Sequence, residues 1–184
     1  GVTREQIAET VNEFLSDVQP AIRAAHEHRW DLPVECIRFM DAEFSSDWWA
    51  MLYAAWTWLR WRAGHPTDAP YRWHRRVLQL LQYGHGDARR WLLKSPAHLG
   101  NLDRLLRQYP DIRIVHTHRD PVRSVPSTVS LSTLMRTSRA NGVDANLLGQ
   151  MVVMGYGAML RKVIEERGGS VIPPGQITDV HFQD

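Results

Sequence analysis

The sequence predicts an α/β fold, with a short parallel sheet in its second half and a helix-rich first half. Three observations predict it. Apolar runs at 90–94 and 112–118 flank a stretch with Leu99, Leu102, Leu105 and Leu106 at helical spacing, the order of a right-handed parallel strand, helix, strand crossover. A third run at 176–182 follows Pro173-Pro174-Gly175 and reads as another strand. Residues 1–89 show helical patterns without a strand, so the chain is read as one domain, 1–184, with a helical portion (1–89) and a sheet-containing portion (90–184).

The first helix is predicted from Thr3, a side chain suited to N-capping, and from Ile7, Val11, Phe14, Leu15 and Val18 on one face. A short helical piece over 21–28 follows, and Asp31-Leu32-Pro33 breaks it. Ser45-Ser46-Asp47 can cap a helix over 48–61 that carries Trp48, Trp49, Trp56, Trp58 and Trp61. A helix apolar nearly all round is expected in the core. Residues 64–70 form a loop, and 71–83 resume helical spacing with a basic start at Arg72, Arg75 and Arg76.

Ser95-Pro96 and Asp120-Pro121 each carry an N-cap followed by the proline that suits the first helical position. The second of these helices contains Pro126, which is expected to bend or interrupt it. Asp144 caps a long helix through Leu147, Leu148, Met151, Val152, Met159, Leu160 and Val163, ending before Gly168-Gly169.

Lys plus Arg number 22 against 20 Asp plus Glu, and the composition is 43% hydrophobic and 23% charged. These values describe an ordinary globular chain and give no reason to expect nucleic-acid binding. The single cysteine, Cys36, forms no internal disulfide, so a cytoplasmic setting is expected. The apolar run at 48–59 is too short to span a bilayer, and no transmembrane segment is expected.

Ligands of open α/β sheets bind at the carboxyl ends of the strands. There the two turns offer Lys94, Ser95 and His98, then Arg119 and Ser127. Cations and hydroxyls beside two helix starts, whose backbone N–H groups add donors, suit a phosphate or sulfate group. The plainer alternative pairs Lys94 and Arg119 with carboxylates such as Asp103 and Asp120. His116 and His118 share one strand face, but with no third ligand evident they read as packing and hydrogen-bonding residues, and no metal is expected.

Three stretches carry a resemblance: 91–99 (WLLKSPAHL), 109–121 (YPDIRIVHTHRDP) and 127–131 (STVSL). In this order they resemble the sulfotransferase superfamily, in its bacterial branch, with weaker similarity over 71–82 and 179–182. The resemblance implies transfer of a sulfuryl group from 3′-phosphoadenosine 5′-phosphosulfate (PAPS) to a hydroxyl acceptor, with Arg119 and Ser127 holding the 3′-phosphate. It also implies cofactor contacts from Lys94 and Ser95, with Lys94 as electrostatic stabiliser and His98 as candidate general base. Cytosolic members place the histidine two residues after the lysine, whereas here it stands four after.

The family's Gly-rich loop for the 5′-phosphosulfate has no counterpart in these residues, so an internal fragment, inactive alone, is expected. Two alternatives come from other classes. A nucleoside-kinase-like phosphotransferase would need a G-x-x-x-x-G-K-[ST] loop, which the sequence does not contain. A Trp-rich helical interaction module would need no catalysis. Acceptor identity and oligomeric state are not legible.

Overall fold

The protein is described here from a computed structural model, which describes residues 1–25, 29, 31–86 and 90–182. The helical portion comprises α1 (Arg4–Val18), α2 (Ala21–Ala25), α3 (Cys36–Phe39), α4 (Trp48–Leu52), α5 (Trp56–Gly64) and α6 (Ala69–His85). A 3-10 turn (Pro96–Asn101) leads into α7 (Leu102–Gln108), β1 (Ile114–His118), α8 (Pro121–Thr137), α9 (Ala145–Gly168) and β2 (Ile177–His181). The tail of the short piece at 26–28 lies outside the described residues.

β1 and β2 pair in parallel with Ile114 opposite Ile177 and His118 opposite His181. Together with the helices packed around them, they make the α/β fold the sequence predicts. The expected strand at 90–94 is not formed. That segment has no ladder partner among the described residues, Leu92 is 98% exposed, and the Cys36 N–H anchors the backbone by donating to the Lys94 carbonyl at 2.9 Å. An apolar run becomes a strand only where another strand completes its hydrogen bonds.

The caps read from the sequence are present. Thr3 and Gln6 form a reciprocal capping box, Ser95 Oγ accepts from the Ala97 N–H at 3.3 Å, and Asp120 and Asp144 accept from the first turns of α8 and α9. α8 runs unbroken through Pro126. At the sixth helical position this proline lacks the N–H that would donate to the Val122 carbonyl, and the helix accommodates its ring without a break.

The Trp-rich stretch departs from the expected single buried helix. It breaks between Leu52 and Trp56, with Tyr53 in an extended conformation, and its indoles lie only half-buried except Trp61, which is 58% exposed. With no capping side chain at Ala54 or Ala55, Arg136 satisfies the end of α4 instead. Its guanidinium donates to the carbonyls of Ala50 (2.6 Å) and Met51 (3.3 Å) and lies over the Trp56 ring. α1 forms as predicted, but Ile7, Val11, Phe14 and Val18 on its apolar face are exposed.

Two apolar clusters hold the chain together. The larger joins α6, α7, α9 and the sheet through Tyr71, Leu102, Leu105, Leu106, Val163 and Ile172; the smaller joins α2, α4 and α8 through Ile22, Leu52 and Met135. α9 packs on α7, on α8 and on the 3-10 turn. Lys162 donates from it to the Gly100 carbonyl (2.8 Å) and to Asp103 (2.9 Å), and Met159 packs against Gly100. The 24 residues of α9, with a window of mean hydropathy 1.2, are long and apolar enough to cross a membrane by length and composition alone, a test that the core helix of a soluble protein also passes.

Candidate active site: two basic turns braced by α9

The first turn hangs on the Cys36 to Lys94 backbone bond and on the Ser95 cap. Lys94 is exposed and its Nζ pairs with Glu35, a residue the sequence reading passed over. Because Ser95 Oγ accepts from Ala97, its own O–H proton remains available to donate.

The second turn follows β1. Arg119 and Ser127 are both exposed, the arginine at the carboxyl end of the strand and the serine as the seventh residue of α8. Ser127 therefore lies about 9 Å along the helix axis from Pro121. The Arg119 guanidinium lies 5.4 Å from the centre of the Phe182 ring, and the Phe182 N–H donates to the His118 carbonyl at 2.8 Å. α9 contacts both the 3-10 turn and α8, where Tyr156 and Thr128 share a hydroxyl contact of 2.8 Å, so one helix braces both turns.

The expectation that free backbone N–H groups would help bind an anion is corrected at both turns. The Val122 N–H goes to the Asp120 carboxylate, and the Arg123 and Ser124 N–H groups go to the Asp120 carbonyl. At the first turn the Ala97 and His98 N–H groups go to Ser95. An N-cap followed by proline consumes the donors of the first helical turn, so anion binding here rests on side chains.

His98 points away from solvent. Its Nδ1 meets the Tyr71 hydroxyl at 3.1 Å, its Nε2 is buried, and burial pushes its pKa down to about 4, with His74 nearby adding to the shift. His74 repeats the pattern, with Nδ1 at 2.7 Å from the Tyr109 hydroxyl, a buried Nε2 and a pKa pushed by burial to about 4. Burial likewise raises both tyrosine hydroxyls far above their ordinary range.

On the sheet, Asp179 stands opposite His116 and supplies the third group that the sequence did not reveal beside His116 and His118. That carboxylate is already engaged. Arg167 donates two bonds to it at 2.6 and 2.7 Å and His118 Nε2 lies 2.7 Å away, which together hold the Asp179 carboxyl well below the usual range. Two open recesses flank the loop around residues 169–177, one lined by Asp103, Arg107 and Gln176 and one by Arg167 and Ser170. Neither includes a residue of the basic turns.

An exposed arginine thus stands just past the carboxyl end of β1, an exposed serine lies in the second turn of α8, and α9 also contacts the 3-10 turn that follows Lys94 and Ser95. The chain belongs to the Sulfotransferase family, whose sequence profile matches residues 3–184. Over 114 residues, 61% of this chain, it is 27% identical to the omega-hydroxy-beta-dihydromenaquinone-9 sulfotransferase Stf3 of Mycobacterium bovis, and to the same degree to Stf3 of Mycobacterium tuberculosis. The match covers 29% of the length of each relative. No solved structure matches the chain.

Proposed function

We propose that this chain carries the 3′-phosphate side of a site for sulfuryl transfer from PAPS to a hydroxyl acceptor. The observation that carries the reading is Arg119, exposed at the carboxyl end of β1 and followed eight residues later by the exposed Ser127. An arginine fork matches two phosphate oxygens at once, and a serine O–H donates to a third. Membership of the family supports sulfuryl transfer. The relatives are named for a hydroxyl compound, which supports a hydroxyl acceptor here.

In the reaction the acceptor oxygen attacks sulfur as the bond from sulfur to the bridging phosphate oxygen breaks, and the acceptor proton leaves to a base. Negative charge gathers on the bridging oxygen, where a cation stabilises the transition state more than the ground state. Lys94 has that role in the proposal. Its exposed pairing with Glu35 is worth at most about 1 kcal/mol, so exchanging the carboxylate for the leaving oxygen costs little. Ser95 donates its hydroxyl proton to the same group.

His98 is neutral at pH 7, as a base must be, yet one nitrogen is engaged by Tyr71 and the other is buried. A base needs a nitrogen within reach of the acceptor proton. The geometry therefore favours a positioning role for His98, which anchors the 3-10 turn behind Lys94 and Ser95.

Calorimetric titration with adenosine 3′,5′-bisphosphate and adenosine 5′-monophosphate tests the nucleotide assignment. The bisphosphate is expected to bind more tightly, and the preference should vanish in Arg119→Ala. Equal binding of both nucleotides, or a preference untouched by the substitution, removes Arg119 from the site.

A further inference from the structure

Behind the Lys94–Ser95 turn, three side chains converge from three separate elements. Cys36 opens α3, His74 lies in α6, and His98 lies in the 3-10 turn; one ligand atom from each falls within 4.8 Å of the others. Cys36 is 2% exposed and His74 0% exposed, and His98 is half-buried.

The hydrogen bonding of the two rings is one-sided. Each Nδ1 meets a tyrosine hydroxyl, while each Nε2 is buried with no hydrogen-bond partner among the described residues. A buried polar atom without a partner costs roughly 1–3 kcal/mol. The two rings that carry these atoms stand beside a buried thiol. A ring that donates from Nδ1 to an oxygen presents a lone pair at Nε2, the arrangement that outer partners impose on metal-ligating histidines.

We propose that Cys36, His74 and His98 form a structural site for one transition-metal ion of the Zn2+ class. The donor set selects the metal. A thiolate with two imidazoles suits a borderline-soft ion, whereas Mg2+ and Ca2+ require oxygen ligands that this cluster lacks. Tyr71 and Tyr109 accept the two Nδ1–H bonds and fix the rings. On binding, the Cys36 S–H bond breaks, a sulfur–metal bond forms, and the thiol proton passes to solvent. Zinc–ligand lengths of about 2.0–2.3 Å draw the widest ligand spacing in by roughly 1 Å, and a water completes the four-coordinate shell.

The ion joins α3, α6 and the KSPAH turn at the point where the Cys36 N–H already holds the Lys94 carbonyl. It fixes the position of Lys94 and Ser95 and takes no part in sulfuryl transfer. The site departs from the sequence expectation of no metal, because positions 36, 74 and 98 have no recognisable ligand spacing. It stands independently of the nucleotide assignment.

The test uses the reduced, untagged chain freed of metal by chelation and titrated with Co2+, followed by Zn2+. One equivalent of Co2+ is expected to give the visible bands of a four-coordinate ion and a thiolate-to-cobalt charge-transfer band, all erased by Zn2+. Cys36→Ser, nearly the same size, should remove the charge-transfer band, and Tyr109→Phe should weaken Zn2+ binding roughly 10–100-fold while keeping the spectrum. A folded wild-type chain that develops no cobalt bands holds only water at the cluster, and the proposal fails. It fails equally if Cys36→Ser, folded by circular dichroism, keeps the charge-transfer band.

Discussion

The guanidinium of Arg119 lies 5.4 Å from the centre of the Phe182 ring, so the residue that follows β1 is covered by the residue that follows β2. The ring supports the cation from one side without taking its hydrogen-bond donors. Arg119→Ala should weaken adenosine 3′,5′-bisphosphate binding by roughly 10–100-fold, the loss of about 1.5–3 kcal/mol expected for a charge-assisted hydrogen-bonded pair. Arg119→Lys should recover only part, since an ammonium lacks the planar fork. Calorimetry across a salt series reads both effects.

Lys94→Met separates catalysis from stability. Its exposed pair with Glu35 contributes at most about 1 kcal/mol, so the denaturation midpoint should barely move. In a form of the protein that also carries the 5′-phosphosulfate loop, the rate of label transfer from sulfur-labelled PAPS should fall by roughly 100-fold or more, as when one preorganised charge partner is removed from a transition state. A variant that transfers label at the wild-type rate removes Lys94 from the chemistry.

His74 and His98 set the acid limit of the metal-free chain. Both have folded pKa values of about 4, below the usual 6.5, because burial disfavours the charged ring. The unfolded chain therefore binds more protons between these values. Stability should be fully present above pH 6.5, decline as the pH falls towards 4, and flatten below it. Each histidine contributes a slope of about 1.4 kcal/mol per pH unit. Urea denaturation at a series of pH values measures the combined slope, and His74→Gln should reduce it.

Arg136 is a structural residue that no motif announced. Arg136→Ala should destabilise the chain by about 2–3 kcal/mol, because it strips two carbonyl partners from the end of α4 and removes packing on Trp56. Arg136→Lys should not rescue, since a point charge cannot serve both carbonyls in the plane of a fork. Thermal unfolding of the two variants beside the wild type checks this.

Local chemistry made parts of this structure legible. Ser95, Asp120 and Asp144 act within three residues of themselves, and their caps could be read directly. β1 and β2 were legible because apolar runs bounded by Pro and Gly leave few alternatives. Residues 90–94 read equally well as a strand, but a strand is a relation between two segments, and the hydrogen bonds that would pair this one are absent among the described residues. The Trp-rich stretch misled for a related reason: its apolar character said nothing of the break at Tyr53.

The two turns of the candidate site were visible as motifs, whereas their supports were not. Glu35, Tyr71, His74 and Phe182 reach the turns from segments tens of residues away, and no spacing rule links them. The similarities around 71–82 and 179–182 reach Tyr71, His74 and Phe182, but neither links them to the turns. Backbone donors were expected at both helix starts for the opposite reason, since the capping residues that revealed the helices also occupy those donors.

The pairing of β1 with β2 has a kinetic consequence. Two long helices, α8 and α9, separate the strands in sequence, so closing this contact requires a large loop and is expected to come late in folding. Phe182 arrives with that last strand. Until it docks, Arg119 stands on an unpaired segment without its aromatic cover, and nucleotide affinity becomes a reporter of the final assembly step. A ligand that grips Arg119 should in turn slow the departure of β2, protecting the amides of 177–181 from hydrogen exchange before it affects those of α1.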